Sequence, residues 1–281
     1  MIDFSSCIDF DECGDGPTIV FVPGSCSTGA AWRPVIAALS GGFRCVTTSL
    51  PGYGGTAERR TPLDPPMVRE VEVVEAVIRR AAGWSNEPVH LVGHSFGALV
   101  ALAVALRRQT RLTSLFIAEP PAAELLRACN EMEQYRTFHD MTDHYFERFR
   151  NGEPEAIALM IDFYGGQGTF ASWPRRVRDF VIATTASNIL DWQSAYGFRL
   201  PLAVLEALTV PTQVVCGALS PPAMRRANAL LSAHLGCASL LSIPGAAHFM
   251  IATHPEDVAQ LLKRHIIAAN DSLSKASATH V

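Results

Sequence analysis

A serine flanked by glycines, Gly93-His94-Ser95-Phe96-Gly97, interrupts an apolar stretch of this chain. Pro88 to Val92 before it reads as a short buried strand, and Ala98 to Leu106 after it as a helix rich in Ala, Leu and Val. A Gly-x-Ser-x-Gly at such a junction has a mechanical reason. The serine sits on a turn so tight that only glycine avoids clashes at the flanking positions. Its hydroxyl then stands clear of the sheet at a helix N-terminus, where backbone N–H groups can stabilise developing negative charge. Type and spacing together predict that Ser95 is a nucleophile rather than a turn serine.

The elements that must hold such a serine are spaced along the chain as alternating strands and helices. Ile8 to Glu12 and Thr18 to Val22, with Asp15-Gly16 between them, read as an opening hairpin. The small-residue loop Pro23 to Gly29 follows the second strand, and such a loop can bring its backbone close to a ligand. Trp32 to Leu39 reads as a helix, Phe43 to Leu50 as a strand, and Pro51-Gly52-Tyr53-Gly54 as a loop. Pro65 opens a predicted helix whose Val68, Val71, Val74, Ile78 and Ala82 keep helical spacing up to Gly83. Leu112 to Ala118 is a further strand, ending at Glu119-Pro120-Pro121. From Ala122 to about Leu205 the chain is rich in aromatic and charged residues without a strand pattern, and reads as a helical insertion. Alternation resumes with Val210 to Cys216, Pro222 to Leu235, Ser239 to Ile243 and Pro255 to Ile267, before a small, polar and frayed tail from Asn270 to Val281. This order predicts an α/β fold: a mostly parallel sheet with helices on both faces and sites at the carboxyl ends of its strands.

Composition narrows the partners. With 27 acidic against 23 basic residues and no basic block, nucleic-acid binding has no electrostatic support, and a small-molecule substrate is expected instead. No apolar run reaches membrane-spanning length and the first eleven residues carry no leader pattern, so no membrane association is expected and cytoplasmic residence is the default expectation. Seven cysteines, at positions 7, 13, 26, 45, 129, 216 and 237, follow neither a metal-ligand spacing nor a disulfide framework and read as reduced thiols, mostly buried.

The elbow around Ser95, the Pro51-Gly52-Tyr53-Gly54 loop and Pro244-Gly245-Ala246-Ala247-His248-Phe249 together resemble the α/β-hydrolase family over about Ile8 to Ile267. The resemblance implies an eight-stranded sheet, a core of residues 1–121 and 206–281, and a helical cap formed by 122–205. It makes His248 the base, which takes the Ser95 proton on attack and returns it to the leaving group. His94 and the other histidines read as packing or surface residues. The family commonly carries its acid three residues after the glycine that ends the seventh strand, where this chain has Ser220. The sixth strand instead ends at Glu119, 24 residues after Ser95, and the order Ser95, Glu119, His248 is preserved. Glu119 is therefore the expected acid, a placement similar to zearalenone-lactone-hydrolase-type members, with Asp191 and Glu124 as weak alternatives. Some haloalkane dehalogenases place an acid similarly but use an Asp nucleophile, which Ser95 argues against.

The resemblance also implies an oxyanion hole from the backbone N–H groups of Ser25 and Phe96, although Pro23 replaces the family's usual histidine. Gly24, Trp32 and Phe249 are expected at the substrate, with cap aromatics lining an apolar pocket. No metal or organic cofactor is implied. Two functions follow: a serine hydrolase cleaving an ester or lactone of a small to medium, largely apolar substrate through an acyl-enzyme on Ser95, or a hydrolase-like ligand-binding protein or lyase with weak or no acylation chemistry. Amide or carbon–carbon bond hydrolysis would use the same residues. A homodimer through the cap is compatible with the sequence, which carries no positive signal for it.

Overall fold

The computed structural model describes residues 8–61 and 63–278, the last seven of these by backbone alone. Cys7 lies outside the described residues; the cysteines at 13, 26, 45, 129, 216 and 237 are all free. Seven strands form one sheet: β1 (Asp11–Cys13), β2 (Thr18–Val22), β3 (Arg44–Thr47), β4 (Val89–His94), β5 (Leu112–Ala118), β6 (Thr212–Gly217) and β7 (Ala238–Ile243). Their order is β1-β3-β2-β4-β5-β6-β7, parallel throughout except β1, which runs antiparallel to β3. The sheet thus has seven strands among the described residues, one fewer than expected. The expected hairpin is also absent. Both edges of β2 are taken by parallel partners, β3 and β4, and β1 joins the outer edge of β3 instead.

Alternation along the strands explains why the sheet is covered twice. Ile19 and Phe21 enter one apolar cluster while Val20 and Val22 enter another, and all four are fully buried. The helices between the first strands are α1 (Arg33–Ala38), after a 3-10 turn at Gly29–Trp32, then α2 (Val68–Ala82) and α3 (Phe96–Arg107). Between β5 and β6 the chain is helical throughout its regular structure: α4 (Ala123–Ala128), α5 (Met132–Arg150), α6 (Ile157–Gly165), α7 (Thr169–Ser172), α8 (Arg175–Ala183), α9 (Thr185–Gly197) and α10 (Leu202–Glu206). The last three are α11 (Pro222–His234), α12 (Met250–Thr253) and α13 (Pro255–Ala278). Residues of α1, α12 and α13 pack with Ile19, Phe21, Val92, Phe116 and Val215, whereas α2, α3, α11 and the β5–β6 helices pack with Val20, Val22, Leu91, Ile117 and Val214. Two boundaries differ from the sequence reading. Helix α2 begins at Val68 rather than Pro65, because Met67 just before it takes a left-handed conformation (φ 64°) that a helix cannot include. Helix α13 runs past Ile267 to Ala278, through residues expected to fray. Among the described residues no helix is long and apolar enough to cross a membrane.

Three histidines are embedded in this framework. His90, hydrogen-bonded to Ser114 Oγ at 2.8 Å, and His265 are each pushed down to about 4 by burial, with His265 also acting on His90 as a like charge. His94 is pushed down to about 3, by burial first and then by the neighbouring His248. A histidine whose folded pKa is depressed stays neutral in the fold while the unfolded chain takes up a proton below about 6.5. Stability is therefore expected to fall as pH drops from about 6.5 towards 4, by up to about 1.4 kcal/mol per pH unit for each of them. Urea midpoints at pH 7, 6 and 5 measure this, and replacing His90 by Asn should flatten the slope.

Candidate active site

The site forms where the strand order reverses. β3 lies to one side of β2 and β4 to the other, so the loops leaving β2 and β4 diverge and open a crevice at the carboxyl edge. Ser95 follows β4 directly, with φ 55° and ψ −129°, an uncommon conformation for a residue other than glycine. Its own N–H donates to Ala118 O at 2.8 Å, tying the turn to β5. The glycines that permit this are placed by contact. A Cβ at Gly97 would collide with the Val22 and Pro23 backbone, and one at Gly24 would stand 2.9 Å from Ser95 Cβ. Gly24, expected at the substrate, thus abuts Ser95.

Glu119 follows β5 as Ser95 follows β4. Its N–H donates to Val215 O at 2.9 Å, and its side chain is fully buried. His248 lies in the loop after β7, and the three side chains meet. His248 Nε2 is 2.9 Å from Ser95 Oγ, and His248 Nδ1 is 2.7 Å from Glu119 Oε2. An ionised carboxylate only accepts, so Nδ1 carries the proton and Nε2 is free to accept from the serine hydroxyl. The other carboxylate oxygen, Oε1, accepts from Gly217 N–H at 2.7 Å, from the Ser220 hydroxyl and from Cys216 Sγ at 3.1 Å. Burial alone would push the Glu119 carboxyl up. The hydrogen bond and charge of His248, with Ser220 and the Gly217 amide, outweigh it and hold the group below its ordinary value. Ser220, which stands where an aspartate was looked for, donates its hydroxyl to the Glu119 carboxylate.

Two further contacts shape His248. His94 Nε2 donates to the His248 carbonyl at 2.7 Å, and Tyr164 of α6 stacks on the His248 ring with centroids 4.1 Å apart and planes 20° apart. The Tyr164 phenol is held far above its ordinary pKa, first by burial, and its hydroxyl has no partner among the described residues.

A cavity of about 20 Å³ lies between these groups, lined by Ser25, Ser95, Phe96, Tyr164, Asp191 and Trp192 among others. Ser25 and Phe96 both border this cavity with Ser95, and Phe96 is the first residue of α3, where the backbone N–H has no partner within the helix. Two other expected pocket residues lie elsewhere. Trp32 is fully buried behind the site against Phe21 and His94, and Phe249 packs edge-on to His248 and Trp173. Asp191 is not the partner of the histidine's Nδ1, which is Glu119. Asp191 accepts from Ser25 Oγ at 2.5 Å, Tyr53 Oη at 2.6 Å and Arg60 Nη1 at 2.5 Å. Burial pushes the Asp191 carboxyl up, against the opposing pull of Arg60. Glu124 instead pairs with Arg127 and Arg199. Neither Tyr164 nor the Asp191–Arg60 pair was read from the sequence; nothing local marks residue 60 as the partner of residue 191.

Known proteins agree with this architecture. The sequence profile of the alpha/beta hydrolase family matches residues 19–261. A pimeloyl-[acyl-carrier protein] methyl ester esterase from Edwardsiella ictaluri is 25% identical over 257 residues, 89% of this chain and 94% of that protein. The enzyme of the same name from Aeromonas hydrophila is 32% identical over 116 residues, 41% of this chain. The chain spans less than half the length of several curated relatives it matches, 42% in the Aeromonas case. Among solved structures, a thermophilic esterase from Thermogutta terrifontis superposes with a TM-score of 0.71 at 21% identity, covering 93% of both chains. A profile match over most of its length, on a fold with this strand order and a serine at this turn, makes the chain a member of the α/β-hydrolase family.

Proposed function

We propose that the chain is a serine hydrolase that cleaves an ester or lactone of a small, largely apolar acid through an acyl-enzyme on Ser95. The observation that carries this reading is the unbroken hydrogen-bonded series from Ser95 Oγ through His248 to Glu119. In it His248 takes the serine proton as Oγ attacks the carbonyl carbon, and Glu119 fixes the tautomer and stabilises the imidazolium. The tetrahedral oxyanion is bound by the Ser25 and Phe96 N–H groups. The protonated His248 then delivers its proton to the leaving oxygen, and water repeats the sequence on the acyl-enzyme. Residues 122–205 act as a cap over a core of 1–121 and 206–281, with Tyr164, Asp191 and Trp192 among the residues it adds to the cavity wall. The esterase relatives support an ester rather than an amide. The ligand-binding or lyase alternative has its motive in Ser220 and Pro23, and the Glu119–His248 distance of 2.7 Å favours acylation chemistry over it.

Fluorophosphonate labelling tests the proposal. Wild type is expected to label at a single site and Ser95→Ala not at all; a folded wild type that stays unlabelled overturns the reading. The narrow cavity adds a second expectation. Across p-nitrophenyl esters, acetate should exceed octanoate in kcat/KM by at least about tenfold, since each surplus methylene must displace packed side chains. The opposite order would mean that the acyl chain lies outside this cavity.

A further inference from the structure

A carboxylate buried beside an oxyanion site is costly: it repels the charge that the site must stabilise. Asp191, only 1% exposed, borders the same cavity as Ser95. Three donors converge on it. Arg60, itself buried, takes Oδ1, while the hydroxyls of Ser25 and Tyr53 take Oδ2. Arg60 is in turn anchored by Glu70 at 3.1 Å, by Glu58 at 2.7 Å and by the Pro51 carbonyl at 2.9 Å. Arg60 thus offsets part of the Asp191 charge, its single positive charge being shared with Glu58 and Glu70. What remains on the cavity side is a bond to Ser25.

Ser25 is the residue whose backbone N–H is assigned to the oxyanion. It sits in a loop with little regular structure, next to Cys26, whose φ of 56° is sparsely populated for a residue with a Cβ. Inside the loop, Ser27 Oγ donates to Gly24 O at 2.8 Å. From outside the loop, the Ser25 side chain is held by Asp191, which belongs to α9 rather than to the β-sheet. We infer that Asp191, buffered by Arg60, is a positioning residue that clamps the Ser25 side chain and so aims the Ser25 N–H at the oxyanion. The inference rests on the hydrolase reading of Ser95. It makes the oxyanion hole dependent on the correct seating of α9, and so ties catalytic competence to the helical segment that encloses the substrate.

A boronic acid inhibitor separates this role from a merely structural one, because the serine oxygen adds to boron and gives an anionic tetrahedral adduct that fills the oxyanion hole. Ser25→Ala keeps the backbone N–H and deletes only the clamp. It is expected to lower kcat about tenfold, less than outright loss of an oxyanion donor, with KM within about threefold. Phenylboronic acid should bind it weaker by a similar factor, and Ser25→Thr, which keeps the hydroxyl, should recover most of the loss. Asp191→Ala should show the same pattern, and adding Ser25→Ala to it should cost little more, the mark of two residues acting through one bond. If Asp191→Ala does not fold, Ser25→Ala and Ser25→Thr carry the test alone. Unchanged kcat and boronate affinity in Ser25→Ala, with wild type labelled at Ser95, would overturn the clamp. A wild type that neither labels nor binds the boronate would overturn the hydrolase reading itself.

Discussion

Glu119→Gln is expected to lower kcat by about 10³- to 10⁴-fold while leaving the fold and KM nearly unchanged. The side chain keeps its length, and its amide oxygen can still accept from Gly217 N–H and the Ser220 hydroxyl. The amide nitrogen must then face His248 Nδ1, where a donor forces the ring to accept and moves its proton to Nε2. An imidazole protonated at Nε2 cannot take the Ser95 proton. The loss is therefore chemical rather than structural, and it belongs in kcat. Thermal unfolding checks the fold, and steady-state kinetics on a p-nitrophenyl ester check the loss; activity near wild type would return the acid role to no known residue.

The same substitution bears on stability, with a definite sign. The folded Glu119 pKa lies below its ordinary value, so its ionised form contributes stability that is fully present above about 4.5 and lost as pH falls through the folded value. Glu119→Gln should therefore differ most from wild type in unfolding free energy near neutral pH and converge towards it in acid.

Legibility in the sequence divides along physical lines. The elbow, the order of strands and helices, and the loops that carry Glu119 and His248 were readable because each depends on local chemistry: glycine at a tight turn, alternation in a strand, a Pro-Gly break after one. The failures were failures of pairing. Nothing near Asp11–Cys13 says that β2 has no free edge, so the hairpin expectation fell to the parallel partners on both sides. Trp32 was expected at the substrate on the family resemblance, yet its ring turns into the core against Phe21. The union of Asp191 with Ser25, 166 residues apart, and of Tyr164 with His248 is tertiary in origin. Ser220 is the most instructive residue: its identity signalled that the usual acid was missing, and only its hydrogen bond to Glu119 says what the hydroxyl is for.

If Glu119 is the acid, as proposed, that bond should make it movable. Ser220 Oγ touches the far oxygen of the carboxylate that holds His248, so an aspartate at 220 would reach one bond further along the same line. With Glu119 in place, the added charge should be harmful. Two carboxylates in one buried site cannot both ionise freely, and Ser220→Asp alone would force them to share a proton while removing a donor to Glu119. A fall in kcat/KM of about 10²-fold at neutral pH is expected, partly relieved as pH rises and the shared proton is lost. With Glu119 removed, the sign should reverse. Glu119→Ala vacates the space beside His248 Nδ1 and leaves the Gly217 amide and the Cys216 thiol without their acceptor. Adding Ser220→Asp supplies an acceptor for those donors and a carboxylate for the ring. The double variant is therefore expected to exceed Glu119→Ala in kcat/KM by at least about tenfold, because an orienting carboxylate is needed near Nδ1 but not from a particular strand. A double variant no better than Glu119→Ala would mean that the β5 position itself, with the backbone bond from Glu119 N–H to Val215 O behind it, sets the angle that catalysis needs.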